Sequence, residues 1–434
     1  KWTGVYFERL LLRDLGLRVQ FGHPTGEICP LPRPGRDDFV VLADNGIHQV
    51  VVAFCGCRED SDPNHLQLLK GGWYPSTSHD PRTCATLECL DRFEYLTLHG
   101  KTTPYDFYAA LESLTNGTGI KPPDRYAVFL RISRQYAHLL LLKRGGRAYD
   151  RYGVLGTGPG ELAVRCPACP RPGVNLPKDW EQAPPEDKCL YVVVLAIDAC
   201  FRLKRRLISN EIRDPGLGTG WAYMVEWEPY RDFLLLHKQQ KEMSSCSGLR
   251  AVDYANTRFS RGYSVTGVGM GICARHEVVL PTSVGDLQAG ERYCNMDYIV
   301  SAFLRHIHAL LLKILSYDIA CQWTKNLAAR VKKLPALVRF KIVSELFQFA
   351  IPKLHIKGHL LLCQIIFSLL LLLGAGMTDG EGIERSWSMI GGVAASTRVC
   401  GPGARWDKLD SHWSFWNWTK THKMGTIILK RQLA

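Results

Sequence analysis

The sequence lacks motifs that would place it in several common enzyme classes. It has no Gly-x-x-x-x-Gly-Lys-Ser/Thr loop, which excludes a P-loop nucleoside triphosphatase. It has no Gly-x-Ser-x-Gly elbow, which excludes the serine hydrolases built on that turn. It has no internal repeat and no low-complexity tract, and 46% hydrophobic with 22% charged residues excludes wholesale disorder. These absences indicate a globular protein outside the excluded enzyme classes.

Acidic residues are outnumbered by basic ones. The chain has 41 Asp and Glu against 54 Lys and Arg, which gives a formal net charge of +13. This excess favours a polyanionic partner, nucleic acid before a membrane surface, because each neutralised phosphate releases condensed counterions. The charge does not by itself name a function.

The length and the cysteines bound the architecture. The 434 residues suffice for two or three domains. The chain begins at Lys1 without Met, so we expect a fragment of a longer product. Several of the 15 cysteines form short pairs, which in a long chain are typical of metal thiolates rather than disulfides, so we expect a reducing compartment.

One apolar run is almost long enough to span a membrane. Residues 360–376 are nearly uncharged, but Gln364 and Ser368 interrupt the run and no second span exists. We therefore expect a buried helix or strand of a large core, and no membrane.

Other apolar runs predict strands and helices. Runs at 39–42 and 47–54, joined by Asp44-Asn45-Gly46, predict a hairpin. The run 190–197 predicts a strand buried on both faces, and 314–317 a second buried strand. Basic amphipathic helix is expected at 323–350, and mostly helix at 381–420.

Acidic residues follow the two buried strands. Asp198 closes the first and Asp318 the second, while Glu381 and Glu384 lie at a predicted helix start. Converging carboxylates need a counter-charge, commonly Mg²⁺ or Mn²⁺, and two such ions catalyse phosphodiester cleavage. Spacing alone favours the alternative of ordinary strand-end and helix caps, since Asp is common where strands give way to turns.

Cysteine and histidine form three further groups, each with a plain structural alternative. His23, Cys29, Cys55 and Cys57 have the donor types of a zinc site, or are buried free thiols. Two further pairs have the spacing of zinc half-sites, Cys166-x-x-Cys169 and Cys273-x-x-His276. They form either one zinc site or two unrelated pairs, and Cys189 or Cys246 could replace one of the cysteines.

A last group combines histidine and cysteine. His355 and His359, followed by Cys363, could bind a metal from one helix face. The favoured interpretation is a polar structural network next to the acidic cluster.

Together these residues resemble the KDZ (Kyakuja–Dileera–Zisupton) transposases, and the front unit resembles their CxC-type cysteine-cluster domain. The resemblance covers nearly the whole chain. The stretches that carry it include Asn45-Gly46-Ile47-His48, Phe54-Cys55-Gly56-Cys57, Cys166-Pro167-Ala168-Cys169-Pro170, Asp198-Ala199-Cys200-Phe201-Arg202, Cys273-Ala274-Arg275-His276, Glu291-Arg292-Tyr293, Asn295-Met296-Asp297-Tyr298, Tyr317-Asp318-Ile319-Ala320-Cys321 and Thr378-Asp379-Gly380-Glu381.

The resemblance implies an α/β fold with an RNase H-like core and a DDE triad. It places the first two acids at Asp198 and Asp318, which would bridge Mg²⁺ or Mn²⁺. For the third acid, Ile383-Glu384-Arg385-Ser386-Trp387-Ser388 looks like the corresponding helix of the related hAT transposases, which favours Glu384 over Glu381. It also implies Zn²⁺ at the cysteine clusters.

The implied domain organisation has four parts. A small α+β cysteine-cluster domain spans 1–120, and a basic helical segment with a Gly/Pro/Cys linker spans 121–188. The transposase core spans 189–420, with a zinc-containing insertion at about 205–295, and 421–434 is a divergent tail. We expect some basic side chains to contact DNA phosphates, and the alternative is that they only form a solvated helix face. The candidates are Lys204, Arg205, Arg206, Arg330, Lys332 and Lys333.

The implied function is metal-dependent cleavage and strand transfer of transposon DNA, with self-association and a nuclear location. The chain departs from the family pattern at Cys200, where Asn is usual, and in the leucine-rich run. We also expect the start of the cysteine cluster, with further zinc ligands, to be missing. The alternative is therefore a catalytically inactive, zinc-stabilised DNA-binding protein derived from a transposase.

Overall fold

The computed structural model describes residues 1–433 apart from 7, 9, 58–61 and 238–261, so Cys246 lies outside the described residues. The chain divides into two compact units, Lys1–Leu139 and Leu140–Ala434. Each unit has its own sheets and its own apolar core.

The first unit combines two small sheets with helices. A four-stranded sheet has the order β4-β3-β7-β6, and a three-stranded sheet the order β1-β5-β2. The strands are β1 (Arg18–Gln20), β2 (Pro32–Pro34), β3 (Val40–Ala43), β4 (Gly46–Gln49), β5 (Val51–Cys55), β6 (Trp73–Pro75) and β7 (Thr83–Thr86). The helices are α1 (Asn64–Lys70), α2 (Leu87–Gly100), α3 (Pro104–Thr115) and α4 (Tyr126–Arg144).

The hairpin at Asn45-Gly46 is present, because β3 and β4 pair antiparallel with Ala43 opposite Gly46. The apolar run after it was predicted as one strand, and this is wrong. The run divides near Val50, so β4 and β5 join different sheets. Helices α2 and α3 begin at threonine caps, since Thr86 accepts from the N–H of Cys89 and Thr103 from that of Asp106.

The second unit is organised by a five-stranded sheet with the order β12-β11-β8-β13-β14. The first three of these neighbours pair antiparallel, and β8, β13 and β14 pair parallel. The strands are β8 (Val193–Cys200), β9 (Arg205–Arg206), β10 (Tyr263–Val265), β11 (Gly267–Cys273), β12 (Val278–Leu287), β13 (Lys313–Ser316) and β14 (Phe347–Ala350). The helices are α5 (Trp227–Leu236), α6 (Tyr293–Leu304), α7 (Ala320–Trp323), α8 (Leu327–Val331), α9 (Leu361–Ile366), α10 (Gly382–Gly391), α11 (Ala394–Arg398) and α12 (Pro402–Leu433).

Strand β8 lies at the centre of this sheet and is buried on both faces, as its apolar run predicts. Val193, Leu195 and Ile197 pack into one core cluster. Val194 and Ala196 pack into the cluster on the opposite face. This alternation follows from the two-residue period of a strand, and a core on each side is typical of a mixed α/β sheet.

Two regions differ from the predicted organisation. The range expected as an insertion, about 205–295, supplies β11 and β12 of the central sheet. The sequence does not show that β11 pairs with β8 and β12 with β11. The range 323–350 was predicted as amphipathic helix, and this is wrong. It contains the short helix α8 and strand β14, interrupted by Pro335, which restricts helix continuation.

The leucine-rich run is not a buried core element, so that prediction is wrong. Only α9 is regular within it, and turns follow from residue 369. Leu361, Leu371 and Leu373 are 72%, 68% and 77% exposed. Among the described residues, no helix combines the length and apolar character needed to cross a membrane.

Candidate functional site

Two aspartates lie at the carboxyl ends of neighbouring parallel strands. Asp198 lies within β8, two residues before its end, and Asp318 follows the end of β13 by two residues. The two strands pair directly, with Ala196 opposite Ser316. Because the carboxyl ends of parallel strands meet at one edge of a sheet, the fold brings both acids to the same edge.

Burial and neighbouring negative charges raise the pKa values of both aspartates. Burial raises the pKa of Asp198 well above its usual range, and the charge of Asp318 raises it further. Burial also raises the pKa of Asp318 to about 7, with the charges of Glu291, Glu381 and Glu384 adding to the effect. Acids in this situation bind a proton at higher pH than usual unless a cation compensates their charge.

The helix α10 fixes the position of Asp198. The indole Nε1 of Trp387 donates a hydrogen bond to Asp198 Oδ2 at 2.7 Å. Trp387 lies one turn after Glu384 on the same helix, and its side chain is buried. This bond therefore connects the first candidate acid to the helix that carries the third.

The two candidates for the third acid, Glu381 and Glu384, have different contacts. The backbone N–H of Leu354 donates to Glu381 Oε1 at 2.9 Å, and His355 Nδ1 lies 3.4 Å from Glu381 Oε2. Glu384 is exposed, and its charge raises the pKa of both Asp198 and Asp318. Both glutamates therefore stay candidates for the third acid, and Glu381 also holds the segment that carries His355.

A fourth carboxyl, Glu291, was missed as a candidate site residue. Burial raises its pKa to about 8, and the charge of Asp198 contributes. The hydroxyl of Tyr317 donates to Glu291 Oε1 at 2.5 Å. Glu291 lies between β12 and α6, and Pro281, Thr282 and Ser283 interrupt the apolar pattern of β12, so the pattern that pointed to the aspartates gave no signal here. Only its place in the resembling stretch Glu291-Arg292-Tyr293 singled it out.

The carboxylates interact but are not gathered as tightly as the sulfur ligands. Among the described residues, the groups whose ligand atoms all lie within 4.8 Å of one another consist of cysteine and histidine. Asp198, Asp318 and Glu384 are not in such a group.

The four residues proposed for the first zinc site do meet. In the first unit the sulfurs of Cys29 and Cys57 are 3.3 Å apart, and Cys57 Sγ lies 3.4 Å from His23 Nε2. Cys55 completes the group. The side chain of Gln67 positions Cys55 from α1, since it accepts from its N–H at 2.8 Å and donates to its C=O at 3.1 Å. These donors could hold a tetrahedral metal such as zinc.

The two half-sites of the second unit join into one group. Cys273 ends β11, His276 lies in the turn before β12, and Cys166 and Cys169 come from an earlier loop. Cys169 Sγ is 3.0 Å from Cys273 Sγ, and Cys166 Sγ is 3.3 Å from His276 Nδ1. The donor set fits zinc. Cys189 is not part of the group, since its thiol donates to the carbonyl of Glu186.

Two of the predicted phosphate contacts are structural instead. Arg330 is buried, and its Nε donates to Asp297 Oδ2 at 2.7 Å while its Nη2 donates to the carbonyl of Trp323 at 2.6 Å. Arg205 is 4% exposed, and burial lowers its pKa. Neither guanidinium is accessible to a phosphate, so both predictions are wrong.

The remaining basic candidates stay accessible. Arg206, Lys332 and Lys333 are exposed. Lys204 is half-buried, with its ammonium 5.7 Å from the ring centroid of Tyr263. These four stay candidates for contact with nucleic acid.

Comparison with known protein families decides the class of the chain. The family described as Kyakuja-Dileera-Zisupton transposase matches residues 191–417. The chain belongs to the KDZ transposase family. A family described as CxC2 like cysteine cluster associated with KDZ transposases matches residues 12–119. Searches of curated proteins and of solved structures gave no significant match.

The two matched ranges divide the candidate sites between them. The KDZ range contains Asp198, Asp318 and both candidates for the third acid. The cysteine-cluster range contains the whole first metal group. In the second metal group, Cys166 and Cys169 lie outside both ranges, so the structure supplies the evidence that joins them to the KDZ domain.

Proposed function

We propose that the protein is a DDE-type DNA transposase that cleaves phosphodiester bonds and joins transposon DNA to a target. The observation that carries the proposal is the position of Asp198 and Asp318 at the ends of adjacent parallel strands, where the charge of Asp318 raises the pKa of Asp198. Membership in the KDZ family supports it.

The carboxylates of the site suit Mg²⁺ or Mn²⁺, which prefer oxygen ligands. Asp198, Asp318 and Glu384 would hold these ions. When bound, the ions would activate water and stabilise the leaving oxygen. Trp387 orients Asp198, and His355, which lies 3.5 Å from Asp318 Oδ1, orients the second acid.

The proposed fold of the catalytic domain is RNase H-like. The strand order supports this, since β8 is central, antiparallel to β11 on one side and parallel to β13 on the other. The first two acids fall on these central strands and the third on a helix packed against β8, where Trp387 bonds to Asp198.

The proposed partner is DNA, both transposon ends and target, with self-association of the protein and a nuclear location. The net charge of +13 and the exposed Arg206, Lys332 and Lys333 support the choice of DNA.

Nicking of supercoiled plasmid DNA tests the proposal. We expect nicking that requires Mg²⁺ or Mn²⁺, that falls at least about 100-fold in Asp198→Asn and Asp318→Asn, and that persists in the control Asp232→Asn. Asp232 is exposed on α5 and pairs with Arg231. DNA binding should be retained in all three variants. Nicking that survives in both catalytic variants would reject the proposal.

A second candidate is a zinc-stabilised DNA-binding protein without catalytic activity. The specific observation in its favour is that the two sulfur-rich groups are assembled, whereas the acids are not gathered within the same 4.8 Å distance. DNA binding that does not require Mg²⁺ or Mn²⁺, with no nicking by the unaltered protein, would favour this candidate.

A further inference from the structure

A third group of metal-ligand side chains lies beside the acidic edge of the central sheet. Cys321, His359 and Cys363 each offer one ligand atom, and these atoms all lie within 4.8 Å of one another. Cys321 Sγ is 3.5 Å from His359 Nδ1. Cys321 and His359 are each 5% exposed. The interpretation of His355 and His359 as one pair does not fit, because His355 faces the acids instead.

The group connects segments that are distant in sequence. Cys321 lies in α7, three residues after Asp318. His359 follows the 3₁₀ helix His355–Gly358, and Cys363 lies in α9. His359 also makes a hydrogen bond with the backbone of Asp318. A metal at this position would therefore fasten the loop that carries the second candidate acid to the segment that carries His355.

A metal bound by Cys363 would also hold helix α9 in place. It has six residues and none of them is buried, so neither its length nor apolar burial accounts for its order. Cys363 is the half-buried residue of this helix that packs against the core cluster. Bonding of its sulfur to a metal would hold the helix directly.

We propose that Cys321, His359 and Cys363 bind a zinc ion that fixes the position of Asp318. Two thiolates and one imidazole are donors that Zn²⁺ prefers, and three protein ligands leave the fourth tetrahedral position to water. This site is distinct from the two groups already described, since it shares no residue with either. The proposal does not depend on catalysis.

Zinc stoichiometry of the purified full chain, measured by elemental analysis, tests the proposal. With three metal groups in the described residues, we expect three zinc ions per chain. Cys321→Ser and Cys363→Ser should each reduce this to two. The control Cys294→Ser, a buried cysteine of α6 outside the three groups, should retain three. Two ions in the unaltered protein, or undiminished zinc in both serine variants, overturns the proposal.

A second pair of variants separates ligand loss from misfolding. Cys363→His keeps a zinc ligand and should retain three ions per chain, whereas Cys363→Ala should retain two. Far-ultraviolet circular dichroism of both variants should match the unaltered protein. Equal zinc content in the histidine and alanine variants would also overturn the proposal.

Discussion

At the scale of residues, the buried carboxyl of Glu291 ties the stability of the protein to pH. Its pKa is raised to about 8 from an ordinary value of 4.5, chiefly by burial. The folded state therefore binds a proton that the unfolded chain releases between these values. The free energy of unfolding should fall as the pH rises through that window, by at most about 1.4 kcal/mol per pH unit.

The variant Glu291→Gln removes this titration and keeps the size of the side chain. Without added Mg²⁺ or Mn²⁺, we expect its free energy of unfolding to change less between pH 4.5 and pH 8 than that of the unaltered protein. Urea titrations at several pH values measure the difference. The exposed Glu228→Gln is the control and should keep the original slope. Equal slopes for the protein and Glu291→Gln would contradict the assigned cause.

The two aspartates that the sequence singled out share one property, which is position at the end of an apolar run. Asp198 and Asp318 were found in this way, because a buried strand has a strong pattern and its end is easy to locate. Glu291 has no such neighbour. Arg205 and Arg330 show the opposite failure, since a buried arginine with a partner looks like a surface cation until the partner, here Asp297 for Arg330, is known.

At the scale of elements, a buried ion pair attaches helix α12 to strand β12. Arg405 and Asp286 are 0% and 1% exposed, and the guanidinium donates to Asp286 Oδ1. Trp406 Nε1 donates to Asp286 Oδ2 at 3.0 Å. Loss of one partner leaves the other charge buried without compensation, which typically costs about 3–5 kcal/mol.

We therefore expect Asp286→Ala to lower the free energy of unfolding by about 3–5 kcal/mol, measured by urea unfolding with tryptophan fluorescence. The double variant Asp286→Ala with Arg405→Met should regain at least half of that loss, because it removes the unpaired charge. The exposed Asp232→Ala should change stability by less than about 0.5 kcal/mol. A double variant no more stable than the single one would show that charge burial is not the cause.

The elements that the sequence predicted well are those with one dominant pattern. The β8 strand, the Asn45-Gly46 hairpin and the helices between 381 and 420 follow from periodicity and turn chemistry. Pairing between distant segments does not, so β11 and β12 were expected in an insertion rather than in the central sheet. The leucine-rich run shows that apolar composition alone does not decide burial.

At the scale of the whole chain, the metal groups are distributed between the two units. The group containing His23 lies in the first unit, and those containing His276 and His359 lie in the second. Metal binding at such groups releases protons and contributes to folding free energy. Each unit therefore has side chains of its own that could hold a metal.

The net charge of +13 makes the binding of DNA a property of the whole chain that salt should weaken. Each neutralised phosphate contributes a slope of about −0.9 to log K against log salt. We expect a clearly negative slope for duplex DNA, measured by fluorescence anisotropy between low and physiological salt.

The double variant Lys332→Ala with Lys333→Ala should make this slope less negative by about 2, if both side chains contact phosphates. The control Asp232→Asn raises the net charge without adding a cation and should leave the slope unchanged. A slope near zero in the unaltered protein would contradict recognition through phosphates, because binding without counterion release does not respond to salt in this way.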